Sequence, residues 1–394
     1  MPIQSRKSGN DERQRVYPRE LLGVFDDSFV DSFDLFDEYV ARLALAAFRT
    51  TGLDEACRQE ASAAEAVARL GLSAPIALAP CAWILATLAA RNWIAVSTSA
   101  TGERRFRTLA ALPVLDTGEI LERQRVHDPR CLPSFDLAAM AANHYPAVLR
   151  GETTGEQALF GAEGILPWVR YFSGDNPLYA VSNRVGALAA ANTFEHGTGP
   201  ILEIGGGLGS GADALLREIA PPDGGLPVTY HLTEISPLFL KRAQRNLSAR
   251  HGHVTLKFSE LDIDRPFPPD TVAPGTYALA YGVNVLHVAR DLAATLGELH
   301  KALRPGGMLV MAECVRPFAD TALPIELVFN LLDSFRNPVL VPPWRPNGGF
   351  LTPEQWTAAI QANGFTDVRV YPDVASIRDD YPNSMIAAIT ARRA

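Results

Sequence analysis

The chain has 394 residues, of which 47% are hydrophobic and 20% charged, a balance that fits a globular protein of more than one domain. Its formal net charge of −8 supplies no overall basic field for a phosphate backbone, so nucleic acid is set aside as a partner. Met1 to Glu20 holds no apolar signal core, and Ala82 to Ala90 is too short to span a bilayer, so the expectation is a cytoplasmic chain without a membrane partner.

Residues 1–20 read as a disordered tail. A helical, alanine-rich domain is expected over 21–115. Phe36, Val40, Leu43, Leu45 and Phe48 give one apolar helix face. Ser62 to Leu70 and Ile76 to Leu88 read as two further helices, with Pro80 tolerated near the start of the last. Trp93 to Ser97 and Arg105 to Leu109, separated by the polar turn Ser99 to Glu103, read as a β-hairpin. Helices followed by a hairpin suggest a winged-helix-like module, with packing or dimerisation as its expected role. Residues 116–195 read as a helical linker and lid. The four cysteines, Cys57, Cys81, Cys131 and Cys314, form no CxxC or Cys/His cluster, so neither a metal site nor a disulfide framework is expected.

From 196 to 394 the pattern alternates. Pro200 to Ile204, Val228 to Leu232, Val254 to Phe258, Tyr277 to Tyr281 and Met308 to Ala312 read as strands. Between them, Ala212 to Ile219 and Leu240, Ala243 and Leu247 have helical spacing. Leu292, Leu296, Leu299 and Leu303 mark another helix, stopped by Arg304-Pro305-Gly306-Gly307. This predicts an α/β fold: a Rossmann-like, doubly wound, mainly parallel sheet preceded by the mostly helical winged-helix-like domain.

Ligands of such a sheet bind outside the carboxyl ends of its strands. The loop after the first of these strands carries Gly205, Gly206, Gly207, Gly209 and Gly211. Glycines there let the backbone turn tightly and approach a ligand, and the next helix offers unpaired N–H groups. The dinucleotide fingerprint GxGxxG fails at Ser210. Glu-x-Gly-x-Gly-x-Gly, through Glu203, Gly205, Gly207 and Gly209, fits instead and resembles the first motif of class I methyltransferases. The resemblance implies S-adenosylmethionine as cofactor. It implies Glu234 as the acceptor of the ribose hydroxyls and Asp262 as the holder of the adenine amino group, with Asp264 as the alternative to Asp262.

Tyr230 to Leu240, Leu261-Asp262-Ile263-Asp264, Asn284-Val285-Leu286-His287 and Leu303-Arg304-Pro305-Gly306-Gly307 resemble segments of polyketide synthase methyltransferase domains. Small-molecule O-methyltransferases share the Leu-His pair and carry an N-terminal winged-helix dimerisation domain. This resemblance marks 196–394 as a class I methyltransferase domain and adds Asn284 to the cofactor site. It also implies a small-molecule, ketide-like acceptor, either free or carrier-bound, and a homodimer formed through the N-terminal domain.

Methyl transfer needs an electron-rich acceptor, so a weak carbon or oxygen acid must lose a proton. Imidazole titrates near neutrality and suits this task. His287 is the candidate base. Glu313, expected at the end of the neighbouring strand, is the candidate carboxylate for its second nitrogen, with Glu326 as competitor. The aromatics of Val315 to Phe350 (Phe318, Phe329, Phe335, Trp344 and Phe350) are expected to cover the pocket, with Tyr171, Phe172 and Tyr179 opposite. Carbon and oxygen methylation both remain open. A cofactor-binding protein without turnover, an NAD-dependent oxidoreductase and a DNA-binding regulator are the rival classes.

Overall fold

Asp26 starts the first long helix, Asp27–Thr50, because its side chain accepts the Phe29 N–H at 2.8 Å. Phe36, Val40, Leu43, Leu45 and Phe48 are all buried along it. In the computed structural model, which describes residues 17–162, 164–194, 199–221, 228–379, 381 and 385–394, the chain forms two compact units. Residues 1–16 of the expected tail, and the expected start of the second domain at 196, lie outside the described residues.

The first unit comprises Asp26–Tyr171 and Ala322–Asn337. Its Ala63–Arg69 helix opens with a capping box between Ser62 and Glu65. The Ala74–Ala90 helix contains Pro80 and buries Ala77, Cys81, Trp83, Ile84, Leu85 and Leu88. Strands β1 (Ile94–Thr98) and β2 (Arg104–Thr108) then pair antiparallel, and Ala61 bridges to Phe106, adding an edge to the hairpin as a wing does. Phe135, on the Leu132–Leu149 helix, packs between Phe36 and Tyr39 at ring distances of 5.3 and 5.0 Å. The later excursion is tied in by Trp83 Nε1 donating to the Leu323 carbonyl at 3.0 Å, and by the Tyr145 hydroxyl donating to the Leu327 carbonyl at 2.7 Å.

The second unit holds residues 17–25, Phe172–Thr321 and Pro338–Ala394. Its strands are β3 (Ile201–Glu203), β4 (Thr229–Glu234), β5 (Thr255–Glu260), β6 (Tyr277–Val283), β7 (Leu303–Cys314), β8 (Phe365–Tyr371) and β9 (Ile386–Arg393). They form one sheet in the order β5-β4-β3-β6-β7-β9-β8. The first five run parallel, and β9 is antiparallel to both of its neighbours. β3 and β6 are buried along their whole length, as strands covered on both faces must be.

β8 and β9 add two strands to the five expected, and the boundary at Leu303 differs from the sequence pattern. The helix ends at Ala302, and Leu303 begins β7, pairing with Tyr277. Arg304 to Gly307 bulge out before Met308 pairs with Leu279, so the Pro-Gly-Gly run interrupts a strand as well as ending a helix. The strand order reverses at β3 and β6. The loops after β3, β4 and β6 therefore open on one edge of the sheet, together with the end of β7. No helix among the described residues is long and apolar enough to cross a membrane.

Candidate functional site

The glycine turn follows β3. Gly205 has φ +57°, and a Cβ there would lie 2.3 Å from Val285 Cγ2, so only glycine lets this turn pass beneath the loop after β6. Gly207 also has a left-handed φ of +53°, yet a Cβ on it would meet nothing within 4 Å. The turn is thus packed on one side and open on the other. Gly209 is the N-cap of the Ser210–Ile219 helix.

Glu203 ends β3 with its carboxyl in the interior. A Cβ on Gly211 would lie 2.9 Å from Glu203 Oε1, which places this carboxyl beneath the first turn of that helix. Burial pushes it up to about 8, opposed by the Tyr230 hydroxyl. Glu234 ends β4, also buried. Its Oε2 accepts the Gly207 N–H and its Oε1 the Ser236 N–H, both at 2.9 Å. Desolvation raises this carboxyl, and the backbone donors at Ser236, Gly207 and Ile235 oppose the rise.

Asp262 follows β5 and is half-buried. It accepts the Asp264 N–H at 3.0 Å and pairs with Arg265 at 3.1 Å. Asp264, its alternative, accepts the Arg290 N–H at 2.8 Å and so braces the loop beyond β6. Asn284 follows β6 with φ +52°. Its N–H donates to the Ala312 carbonyl at 2.7 Å, and its buried Oδ1 makes no hydrogen bond among the described residues.

A short helical turn, Leu286–Val288, then presents His287. His287 Nδ1 lies 2.7 Å from Glu313 Oε2, with both side chains buried. The other oxygen of Glu313 accepts the N–H groups of Val285 at 3.1 Å and Leu286 at 2.7 Å. One carboxylate therefore fixes both the backbone of this turn and the orientation of the imidazole. Glu326 belongs to the first unit, where it accepts the Leu323 N–H at 2.9 Å.

The expected aromatic cover separates into parts. Phe350 packs on the His287 ring at 4.7 Å. Trp344 lies in the sheet core, and Phe318 is partly exposed under the Arg378 guanidinium. Phe329 and Phe335 pack on each other in the first unit, with Phe329 also near Trp168. Phe172 meets Tyr179 and Phe239 edge-on at 5.3 and 5.8 Å, whereas Tyr171 packs on Trp168. Arg345, which carries no motif signal, is fully buried and donates to the main-chain carbonyls of Ala289 at 2.8 Å and His287 at 3.3 Å. Among the described residues no cluster of His, Cys, Asp or Glu is arranged to hold a metal ion.

Residues 202–309 match a protein-family profile described as a methyltransferase domain. The chain is similar to a highly reducing polyketide synthase of Gibberella moniliformis, with 27% identity over 323 residues, 77% of this chain and 11% of that protein. It is also similar to an iterative polyketide synthase of Emericella nidulans, with 30% identity over 271 residues, 66% of this chain and 9% of that protein. The chain thus spans about a tenth of the length of such curated relatives. Among solved structures, its fold is similar to the CurJ carbon methyltransferase, with TM-score 0.74 and 22% identity over 95% of this chain and 96% of that one. It is likewise similar to the CMeT domain of the citrinin polyketide synthase, with TM-score 0.63 and 18% identity over 95% of this chain and 98% of that one.

Proposed function

We propose that this chain, which carries a class I S-adenosylmethionine-dependent methyltransferase domain, methylates the activated carbon beside a carbonyl in a ketide-like acceptor, delivered as a thioester on a carrier. The observation that carries this reading is the buried His287–Glu313 pair, on the same sheet edge as the glycine turn and Glu234. The relatives named polyketide synthases and the carbon methyltransferases of the same fold support the acceptor class.

The residues fit the cofactor. Gly207 faces open space, Glu234 is a desolvated acceptor at the end of β4, and Asn284 Oδ1 is a buried acceptor awaiting a donor. Glu234, Asn284 and the turn through Gly205, Gly207 and Gly209 would hold it, with Glu203 supporting the turn from beneath and Asp262 at the adenine end. Bound there, S-adenosylmethionine supplies an electrophilic methyl on a sulfonium.

With Nδ1 turned to Glu313, His287 Nε2 is the nitrogen that takes the acceptor's α-proton. The electron pair left on that carbon would make it the nucleophile toward the cofactor's methyl, whose bonding pair would leave with the sulfur. Glu313 stabilises the imidazolium and holds the tautomer. The Phe350 ring shields the imidazole from water.

The test is incubation with cofactor carrying a carbon-13 methyl group and the acetoacetyl thioester of N-acetylcysteamine. A new carbon-bound methyl on the α-carbon supports the reading. A methyl found only on an enol oxygen overturns carbon methylation.

A further inference from the structure

The turn carrying His287 is gripped from two sides. Glu313 holds its N–H groups at Val285 and Leu286. On its carbonyl side, the Arg345 guanidinium donates to the carbonyls of His287 at 3.3 Å and Ala289 at 2.8 Å. Arg345 is fully buried, and desolvation lowers it to about 10. Among the described residues it forms no ion pair; Asp264 and Asp291 favour its charge from further away. A buried cation committed to main-chain carbonyls is an expensive arrangement, and the planar guanidinium fork holds the two carbonyls at a fixed separation that a flexible ammonium does not set.

The segment around Arg345 is built to hold it still. The Val341 N–H donates to the Arg345 carbonyl and the Arg345 N–H to the Val341 carbonyl, closing a tight loop through Pro342 and Pro343. Trp344 anchors this loop in the sheet core. The same stretch sends the Val339 N–H to the Arg290 carbonyl and lays Phe350 on the His287 ring.

We infer that Arg345 is a positioning residue for the methyl-transfer reaction: it sets the main-chain height of His287 so that Nδ1 meets Glu313 and Nε2 faces the acceptor. This rests on His287 being the base. Loss of the outer partners that orient metal-ligating histidines typically costs about 10- to 100-fold, and the same order is expected for a partner that orients a catalytic one. A displacement of about 1 Å has a comparable effect.

The test compares Arg345→Met, Arg345→Lys and His287→Ala with the native chain. Its acceptor-independent readout is the Nδ1–H resonance of His287 in histidine-labelled protein saturated with S-adenosylhomocysteine. Its kinetic readout is kcat with the acetoacetyl thioester. Arg345→Met should bind S-adenosylhomocysteine with native affinity, shift or broaden the His287 resonance, and lower kcat about 10- to 100-fold while the cofactor KM stays within about threefold. Arg345→Lys, which keeps the charge but not the fork, should fall between; it decides the matter if the Met variant does not fold. A native His287 resonance and a native kcat in either folded Arg345 variant overturn the positioning role. Native turnover by His287→Ala overturns the base assignment instead, so the two failures are distinct.

Discussion

Replacing Glu313 by glutamine probes the pair at one atom. In the native chain Oε1 accepts two backbone N–H groups and Oε2 faces His287 Nδ1 at 2.7 Å. A glutamine must keep its carbonyl oxygen on Val285 and Leu286, because turning its NH2 group there would set donor against donor at two buried bonds. Its NH2 then faces Nδ1, which must become the acceptor, so the imidazole proton moves to Nε2. The nitrogen meant to take the acceptor's proton is then already protonated. Trapping the wrong tautomer in a comparable carboxylate–histidine pair costs about 10⁴-fold in kcat. Here kcat should fall about 10²- to 10⁴-fold, or about 3–5 kcal/mol of transition-state stabilisation. The fold and cofactor affinity should be kept, since the backbone bonds survive. Steady-state kinetics with the thioester acceptor, together with calorimetric titration of the cofactor, read both quantities. A kcat within about threefold of native would refute the tautomer reasoning.

Glu234→Ala removes the carboxylate that accepts the Gly207 N–H and should weaken S-adenosylmethionine about 10- to 100-fold, the worth of one charge-assisted hydrogen bond. Unchanged affinity by calorimetry would overturn the ribose role proposed for it. Glu203→Gln tests the buried acid beneath the turn. The folded carboxyl titrates near 8 against an ordinary value of 4.5, so the folded chain holds the proton across that interval. Its contribution to stability is full below the unfolded value and is lost as pH rises through the folded one. The glutamine variant should therefore gain on the native chain by up to about 1.4 kcal/mol per pH unit in denaturant titrations between about pH 5 and pH 8. A stability difference that does not change with pH would contradict that burial.

The alternation of strands and helices was legible up to β7, because strands such as Ile201–Glu203 and Tyr277–Val283 are short apolar runs closed by a turn; β8 and β9 were not read, and in β8 charged and polar residues break the apolar run. Bulges were not legible either. Leu303 continues the apolar spacing of its helix, and only its pairing with Tyr277 makes it strand. His287, Glu313 and Glu234 stood out because strand ends in a parallel sheet share one edge. Arg345 did not, since a lone arginine among prolines reads as a solvated loop. Its burial arises only when the chain returns to a carbonyl 58 residues earlier. The aromatics of Val315 to Phe350 read as one cover, but apolar character does not reveal which unit buries it. Phe329 and Phe335 went to the first unit and Phe350 to His287.

The most direct test of His287 as the base is a single-turnover measurement on His287→Ala, with cofactor binding titrated on the same preparation. Native cofactor affinity with methyl transfer slowed about 10²- to 10⁴-fold is the predicted result. Methyl transfer at the native rate, with the fold intact, would contradict it.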